Sequence, residues 1–354
     1  MSRVVLAMSG GVDSSVAAWL LQEAGHEVIG LFMRHGLPAE ARKQGCCSVA
    51  DAADARRTAL RLGIPFYSVD FQHEFDRIVR YFVAEYTAGR TPNPCVVCNT
   101  WLKFGKLFEY ADSVGAQWVA TGHYARLLAG EDGQAALYRG CDAAKDQSYV
   151  LWGIHAQRLP RLLFPVGQHH KGEIRRIARR LGLDHLADKP DSQEICFVPD
   201  GDHARLVRRQ RGAGDASGEI VLTDGTVVGR HDGLERFTVG QRRGLRIAFG
   251  EPRYVVRLER ATRRVVVGTR EELARRELTA SGANWLALPP EAGIAGFTAE
   301  VKIRYRSPPI AAVVDILPSD RFRVKFQRPC YGVAPGQAAV CYQGDRVLGG
   351  GWIE

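Results

Sequence analysis

Two groups of residues in this chain have the types and spacing to do chemistry. The first is Ser9-Gly10-Gly11-Val12-Asp13-Ser14-Ser15, which follows the apolar run Val4 to Met8 and leads into a helix-forming stretch from about Ser14 to Ala24. Two glycines let backbone N–H groups approach an anion closely, the serine hydroxyls add donors, and a helix N-terminus adds a favourable dipole. This combination predicts a phosphate cradle. No lysine stands where a Walker loop has one, and the glycine spacing is not GxGxxG, which argues against kinase-like and dinucleotide readings. Asp13 becomes the candidate for holding Mg²⁺ between phosphate oxygens.

The second group is thiols. In Thr91-Pro92-Asn93-Pro94-Cys95-Val96-Val97-Cys98-Asn99, two cysteines stand three apart at a loop-to-helix junction, and Cys196 follows in Asp191-Ser192-Gln193-Glu194-Ile195-Cys196-Phe197. The prolines stiffen the approach, and a helix N-terminus favours the thiolate that acts as nucleophile or ligand. A redox pair, half a zinc site, an iron–sulfur ligand pair and a packed structural pair all fit this spacing. Adjacent Cys46 and Cys47 fit a helix-capping turn, while Cys141, Cys330 and Cys341 read as packed thiols.

The elements that must position these groups alternate. Strands are predicted at Val4–Met8, His26–Phe32, Phe66–Val69 and Trp118–Thr121. Helices are predicted at Val49–Leu62, entered through Ser48 as N-cap, at Phe71 to Tyr86, at Cys98–Val114 and at Lys171–Leu181. Phe71, Phe75, Ile78, Val79, Phe82 and Tyr86 fall at helical spacing, and Gly89 closes that helix. Such alternation predicts an α/β domain over 1–204, its parallel sheet binding ligand at the carboxyl ends of its strands. From about residue 205 short β-rich runs between turns take over. They predict two small β-rich domains, 205–275 and 276–354, the last a β-barrel, with a break near Pro289 and Pro290. In the run Phe297–Tyr305, Lys302, Arg304 and Arg306 alternate, which predicts a cationic stripe on one strand face; Arg242, Arg243 and Arg246 form a second basic cluster.

With 354 residues, 45% hydrophobic and 25% charged, the chain has the composition of a folded protein. It has no apolar run long enough for a membrane span and no signal-like N-terminus, so the expectation is a cytoplasmic protein. The net charge of +9 is unevenly spread, with 25 basic against 17 acidic residues after position 200. A basic half beside a near-neutral one fits a polyanion-binding module attached to a catalytic domain.

The glycine loop resembles the PP-loop of ATP pyrophosphatases, which cleave ATP between the α and β phosphates and transfer AMP to a substrate oxygen. The whole chain resembles the tRNA-specific 2-thiouridylase family. The resemblance rests on that loop, Gly45-Cys46-Cys47-Ser48 with Asp51 and Asp54, Gly89 to Asn99, and Thr121-Gly122-His123-Tyr124-Ala125. It continues through Lys145-Asp146-Gln147-Ser148-Tyr149, Ser192 to Phe197, Phe237 to Leu245, Lys302 to Arg306, Pro335-Gly336-Gln337 and Leu348 to Gly351. It implies ATP contacts, with Mg²⁺, at Ala7, Met8, Ser9, Gly10, Gly11, Val12, Asp13, Ser14, Met33 and Gly122. It implies target-base contacts at Asn93, Pro94 and Cys95, and tRNA contacts at His123, Lys145, Asp146, Gln147, Arg304, Tyr305 and Gln337. Cys98 matches the nucleophile and Cys196 the cysteine that carries a persulfide sulfur, loaded by a sulfur-donor protein.

One departure stands out: the family usually has Asp where this chain has Cys95. A persulfide route still works, but Cys95, Cys98 and Cys196 are also three candidate ligands for a [4Fe-4S] cluster whose open iron binds sulfide. Both routes stay open at the level of sequence. Two other functions compete: a PP-loop synthetase that adenylates a small molecule, and a non-catalytic RNA binder that holds nucleotide structurally. Synthetase chemistry does not account for Cys98 with Cys196 or for the basic half, and pyrophosphate release separates the binder from both enzymes.

Overall fold

The computed structural model describes residues 1–35, 48–130, 133–191, 195–198, 200–212, 214–287 and 296–354. The readings placed on Cys46, Cys47, Ser192 to Glu194, Pro289 and Pro290 lie outside the described residues. Contacts gather the chain into two units, one of residues 1–78, 95–201 and 345–347, the other of residues 79–94, 202–344 and 348–354.

The first unit is built on a parallel sheet. Strands β1 (Arg3–Ala7), β2 (Glu27–Arg34), β3 (Phe66–Asp70), β4 (Trp118–Thr121) and a short later strand, Leu162–Leu163, stand in the order β3-β2-β1-β4 with Leu162–Leu163 outermost. All pair in parallel, β1 lying between β2 and β4. Val4, Val5 and Leu6 have no exposed surface, as a strand covered on both faces requires. Helix α1 (Val12–Glu23) packs through Val16, Ala17, Ala18 and Leu21, small side chains that let it lie close against the sheet. Helix α2 (Val49–Leu62) starts at the expected Ser48 cap, where Ser48 and Asp51 form a reciprocal capping box worth about 1 kcal/mol. Helix α3 (Gln72–Thr87), whose residues from Val79 onward belong to the second unit, buries Phe75, Ile78, Phe82 and Tyr86 of the periodic apolar set read from the sequence, while Val79 is half-buried.

Beyond α3, the predicted helix at Cys98–Val114 is compound. A single turn, α4 (Pro94–Val97), passes at Cys98 into a wide π-helical stretch, Cys98–Lys106, before regular α5 (Leu107–Ser113). Long π-helical runs are rare and recur at functional sites, and here the widened turns begin at Cys98. The sequence carries helical periodicity but no signal for this change of winding.

The second unit is β-rich. Four strands, Gly218–Leu222, Val227–His231, Tyr254–Glu259 and Arg264–Gly268, form one sheet around Ile220, Phe237, Val255, Val265 and Val267. Six more, Ala274–Trp285, Phe297–Lys302, Ile310–Leu317, Arg321–Tyr331, Ala338–Gln343 and Arg346–Ile353, make a barrel closed by pairing of the first with the last. Barrel closure leaves no open edge, and Val301, Val314, Phe322, Val324 and Cys341 fill the inside. The fold class read from the sequence holds: a parallel-sheet α/β domain followed by two β-rich domains, the last a barrel.

One reading is overturned. The strand beginning at Phe297 ends at Lys302, and residues 303–307 form a turn, so Lys302, Arg304 and Arg306 do not make a stripe on one strand face. Ser307 ties this turn by bonding the Arg304 backbone. The alternation in the sequence continues past the point where the backbone leaves the sheet.

Candidate active site

In the first unit, β1 and β4 are neighbours in register, Ala7 opposite Thr121, so the segments that follow them emerge side by side. The strand order reverses here, β2 and β3 lying to one side of β1 and β4 to the other, and the carboxyl end of the sheet at such a switch point is where parallel α/β sheets form a ligand crevice. The phosphate loop occupies that crevice. Gly10 takes φ +75°, and a Cβ there would sit 2.1 Å from the Asp51 carbonyl oxygen, so the loop presses directly on the first turn of α2. Gly122 meets the loop from the other side: an added Cβ would be 2.8 Å from Ser14 N. Gly122 and residues 9–14 are therefore brought together. Met33 lies half-buried near the end of β2, paired with Val69.

The loop is tied internally. Ser9 N donates to Ser14 Oγ at 3.1 Å, and Ser14 Oγ donates to the Gly11 carbonyl at 3.1 Å. Ser14 is thus a staple of the turn as well as a candidate donor. Asp13, at the start of α1, accepts from Tyr124 Oη at 2.7 Å and from Lys171 Nζ at 2.8 Å on each carboxylate oxygen. Burial, with the facing Asp13 carboxylate, pushes the Tyr124 phenol far above its ordinary range and keeps it a donor.

Two lysines absent from the motif reading frame this loop. Lys171 opens helix α6 (Lys171–Arg180) and also reaches Asp191 Oδ1 at 2.7 Å. Lys189 Nζ donates to the Gly10 carbonyl at 3.2 Å, Asp51 Oδ1 at 2.6 Å and Asp54 Oδ2 at 3.0 Å. Burial would raise the Asp54 carboxyl, but Lys189 outweighs it and holds the group below its ordinary value. For Asp191, burial is likewise overcome by hydrogen bonds from Lys145 and Lys171, and its pKa falls to about 2. Positions 13, 171 and 191 are too far apart for spacing to reveal; a lysine at the first turn of an otherwise basic helix is the only trace.

The triplet Lys145, Asp146 and Gln147 is engaged with the same scaffold. Lys145 Nζ binds Asp191 Oδ2 at 2.7 Å, Asp146 accepts from Gly140 N and Ser148, and Gln147 Oε1 accepts from Tyr124 N at 2.9 Å. His123 is 7% exposed, its Nδ1 2.7 Å from Thr121 Oγ1 and its ring among Phe104 and Phe164. Burial, with Lys103 nearby, lowers its pKa well below the usual histidine value, so the ring is neutral.

Cys95 is exposed, and Cys98 and Cys196 are half-buried thiols. All three belong to the first unit. Among the described residues no three His, Cys, Asp or Glu side chains gather as a metal-binding group.

In the second unit, Gln337 Nε2 donates to the Thr91 and Pro92 carbonyls at 2.9 and 3.2 Å, and Thr91 N donates to the Pro335 carbonyl. The Pro335-Gly336-Gln337 turn thereby braces the chain that leads into Asn93, Pro94 and α4. Arg304 reaches the Val239 carbonyl from the turn after Lys302, and Tyr305 beside it is 37% exposed. Arg242, Arg246, Phe249 and Arg253 line a cavity of about 600 Å³. Cys330 and Cys341 are buried, as expected of packed thiols, whereas Cys141 is exposed.

Comparison with known proteins places this geometry. Residues 2–200 match the family model described as a tRNA methyl transferase HUP domain, 210–269 a tRNA methyl transferase PRC-barrel domain, and 275–353 an aminomethyltransferase beta-barrel domain. A tRNA-specific 2-thiouridylase of Rhodopirellula baltica is 52% identical over 100% of this chain and 96% of its own length. The proteins of the same name from Geobacter metallireducens and Chloroflexus aurantiacus are 50% and 47% identical, covering 99% and 100% of this chain and 96% and 98% of theirs. Matched from end to end at this identity, and carrying a phosphate loop in the crevice of a parallel sheet, the chain belongs to the tRNA-specific 2-thiouridylase family.

Proposed function

We propose that this chain is a tRNA-uridine 2-sulfurtransferase working through a cysteine persulfide. The observation that carries the reading is the phosphate loop at the β1/β4 crevice, in one unit with Cys98 and Cys196. ATP enters with its phosphates against residues 9–14 and its adenine toward Met33. The uridine 2-oxygen attacks the α-phosphorus and pyrophosphate leaves, making that oxygen part of a good leaving group. The terminal sulfur of a Cys196 persulfide then attacks the activated carbon. Cys98 thiolate attacks the inner sulfur, the S–S bond of the persulfide breaks, and its electron pair stays on the sulfur now bound to the base. AMP departs, a Cys98–Cys196 disulfide forms, and a thiol reductant resets both groups.

Mg²⁺ has Asp13 as its candidate ligand, where it would neutralise phosphate charge. A sulfur-donor protein reloads Cys196, and the exposed Cys95 with Asn93 and Pro94 faces the target base. The basic second unit grips the anticodon arm through phosphate contacts, with Arg242, Arg246 and Tyr305 as candidates, which makes binding steeply salt-dependent. His123, Lys145 to Gln147, Arg304 and Gln337 support the surfaces that meet tRNA; the bonds of Gln337 to Thr91 and Pro92 suit a positioning role. Among the described residues no helix is long and apolar enough to cross a membrane, and we place the enzyme in the cytoplasm.

Pyrophosphate release measured with and without tRNA tests this function. Release stimulated by tRNA and yielding 2-thiouridine supports it. Stimulation by a small molecule alone would instead make the chain a synthetase, and absence of release a binding protein.

A further inference from the structure

The phosphate loop contains an acid, Asp13, and no base, although a triphosphate arriving there brings several negative charges. Helix dipole and backbone N–H groups meet part of that charge. The structure supplies the missing cation from a remote place. Lys171 is 8% exposed, and its ammonium touches both Asp13 oxygens at 2.8 Å and Asp191 Oδ1 at 2.7 Å. Three contacts saturate its three protons.

Fixed charges around it are balanced before any nucleotide arrives. Asp13, Asp191 and Asp142, the last accepting from Lys171 N at 3.0 Å, face Lys171, Lys145 at 2.7 Å and Arg175 at 3.4 Å, three carboxylates against three cations. On the other flank of the loop, Lys189 and Arg57 meet Asp51 and Asp54, two against two, with His185 at 3.3 Å from Asp54. Of these cations it is Lys171 whose ammonium reaches the loop's own carboxylate, Asp13 in the first turn of α1.

We infer that Lys171 is the phosphate-binding cation of this loop. In the nucleotide-free protein Asp13 and Asp191 hold it in place; when ATP enters, its ammonium turns to the triphosphate, which frees Asp13 for Mg²⁺. Lys171 then stabilises the charge that builds on the departing pyrophosphate, and is a catalytic residue of the adenylation step. This inference rests on the use of ATP at the loop.

Calorimetric titration of the full-length protein with a non-hydrolysable α,β-methylene ATP analogue and Mg²⁺ tests it, with a thermal melt of each variant. Binding by the unaltered protein is the control; failure there would remove the ATP reading itself. Lys171→Met is expected to weaken binding by about 10- to 100-fold, the range of one charge-assisted hydrogen bond, with Lys171→Arg restoring most of it. Asp191→Asn removes a competitor for Lys171 and is expected to tighten binding severalfold although it lowers the melting temperature. A purely structural clamp would instead make Lys171→Met and Asp191→Asn melt earlier together while both bind the analogue as the unaltered protein does, and that result overturns the proposal. Should Lys171→Met fail to fold, unchanged or weakened binding by Asp191→Asn overturns it alone.

Discussion

Gly10→Ala probes a closeness in the phosphate loop that only glycine permits. Two costs add at this position. A left-handed backbone costs an L-residue about 1–2 kcal/mol. Gly10 has φ +75°, and its new methyl would stand 2.1 Å from the Asp51 carbonyl oxygen and 2.8 Å from Asp51 Cα, backbone atoms that cannot swing aside like a side chain. Overpacking of that kind adds about 1–3 kcal/mol. Gly25 separates the two costs, because it has φ +80° with nothing within 4 Å of an added Cβ. For a unit of this size 1 kcal/mol moves the melting temperature by about 2–4 °C. Calorimetric melting should therefore show Gly25→Ala about 4 °C below the unaltered protein and Gly10→Ala about 10 °C below it. Only Gly10→Ala should also lose affinity for an ATP analogue. If both variants melt together and bind nucleotide equally, the loop does not rest on α2 in the way the geometry requires.

The thiols give sharper tests of chemistry. Cys98→Ser and Cys196→Ser should each abolish 2-thiouridine formation, read by nucleoside mass spectrometry, while tRNA retention on a filter stays unchanged; near-normal thiolation in either variant contradicts the persulfide route. Cys95→Asp should keep activity, and anaerobically purified protein should hold no stoichiometric iron or acid-labile sulfide, whereas a full cluster complement would overturn the persulfide route. The Asp191 carboxyl, held at about 2 against an ordinary 3.8, contributes stability above about pH 4 that is lost as pH falls toward 2. Asp191→Asn should thus cost on the order of 2 kcal/mol at pH 7 and flatten the acid limb of a denaturation profile; a parallel pH profile in both proteins would count against the Lys145 and Lys171 bonds. His123, buried and held well below its ordinary 6.5, should titrate below that value in an NMR titration, and a midpoint near 6.5 would show that its ring is solvated.

Sequence alone determined the features that are local. The strand before Ser9, the Ser48 cap of α2, the apolar stripe of α3 and the strand at Trp118–Thr121 each depend on neighbours within a few residues, and each appears as its residues predict. The glycine loop was legible for the same reason, since its shape comes from adjacent φ values. Periodicity failed where local signals are degenerate: helical spacing at 98–106 does not distinguish α from π winding, and alternation through Arg306 does not say where a strand ends.

What tertiary structure alone decided is the electrostatic setting of the loop. Asp13, Tyr124, Lys171 and Asp191 meet because parallel strands bring distant connections to the same end of the sheet, and hydrogen bonds between them form only after that sheet is built. The buried neutrality of His123 and the bracing of Thr91 by Gln337 have the same origin. Residue type says that a side chain can bear charge or donate a proton; burial and partners, which are non-local, say what that charge is set against.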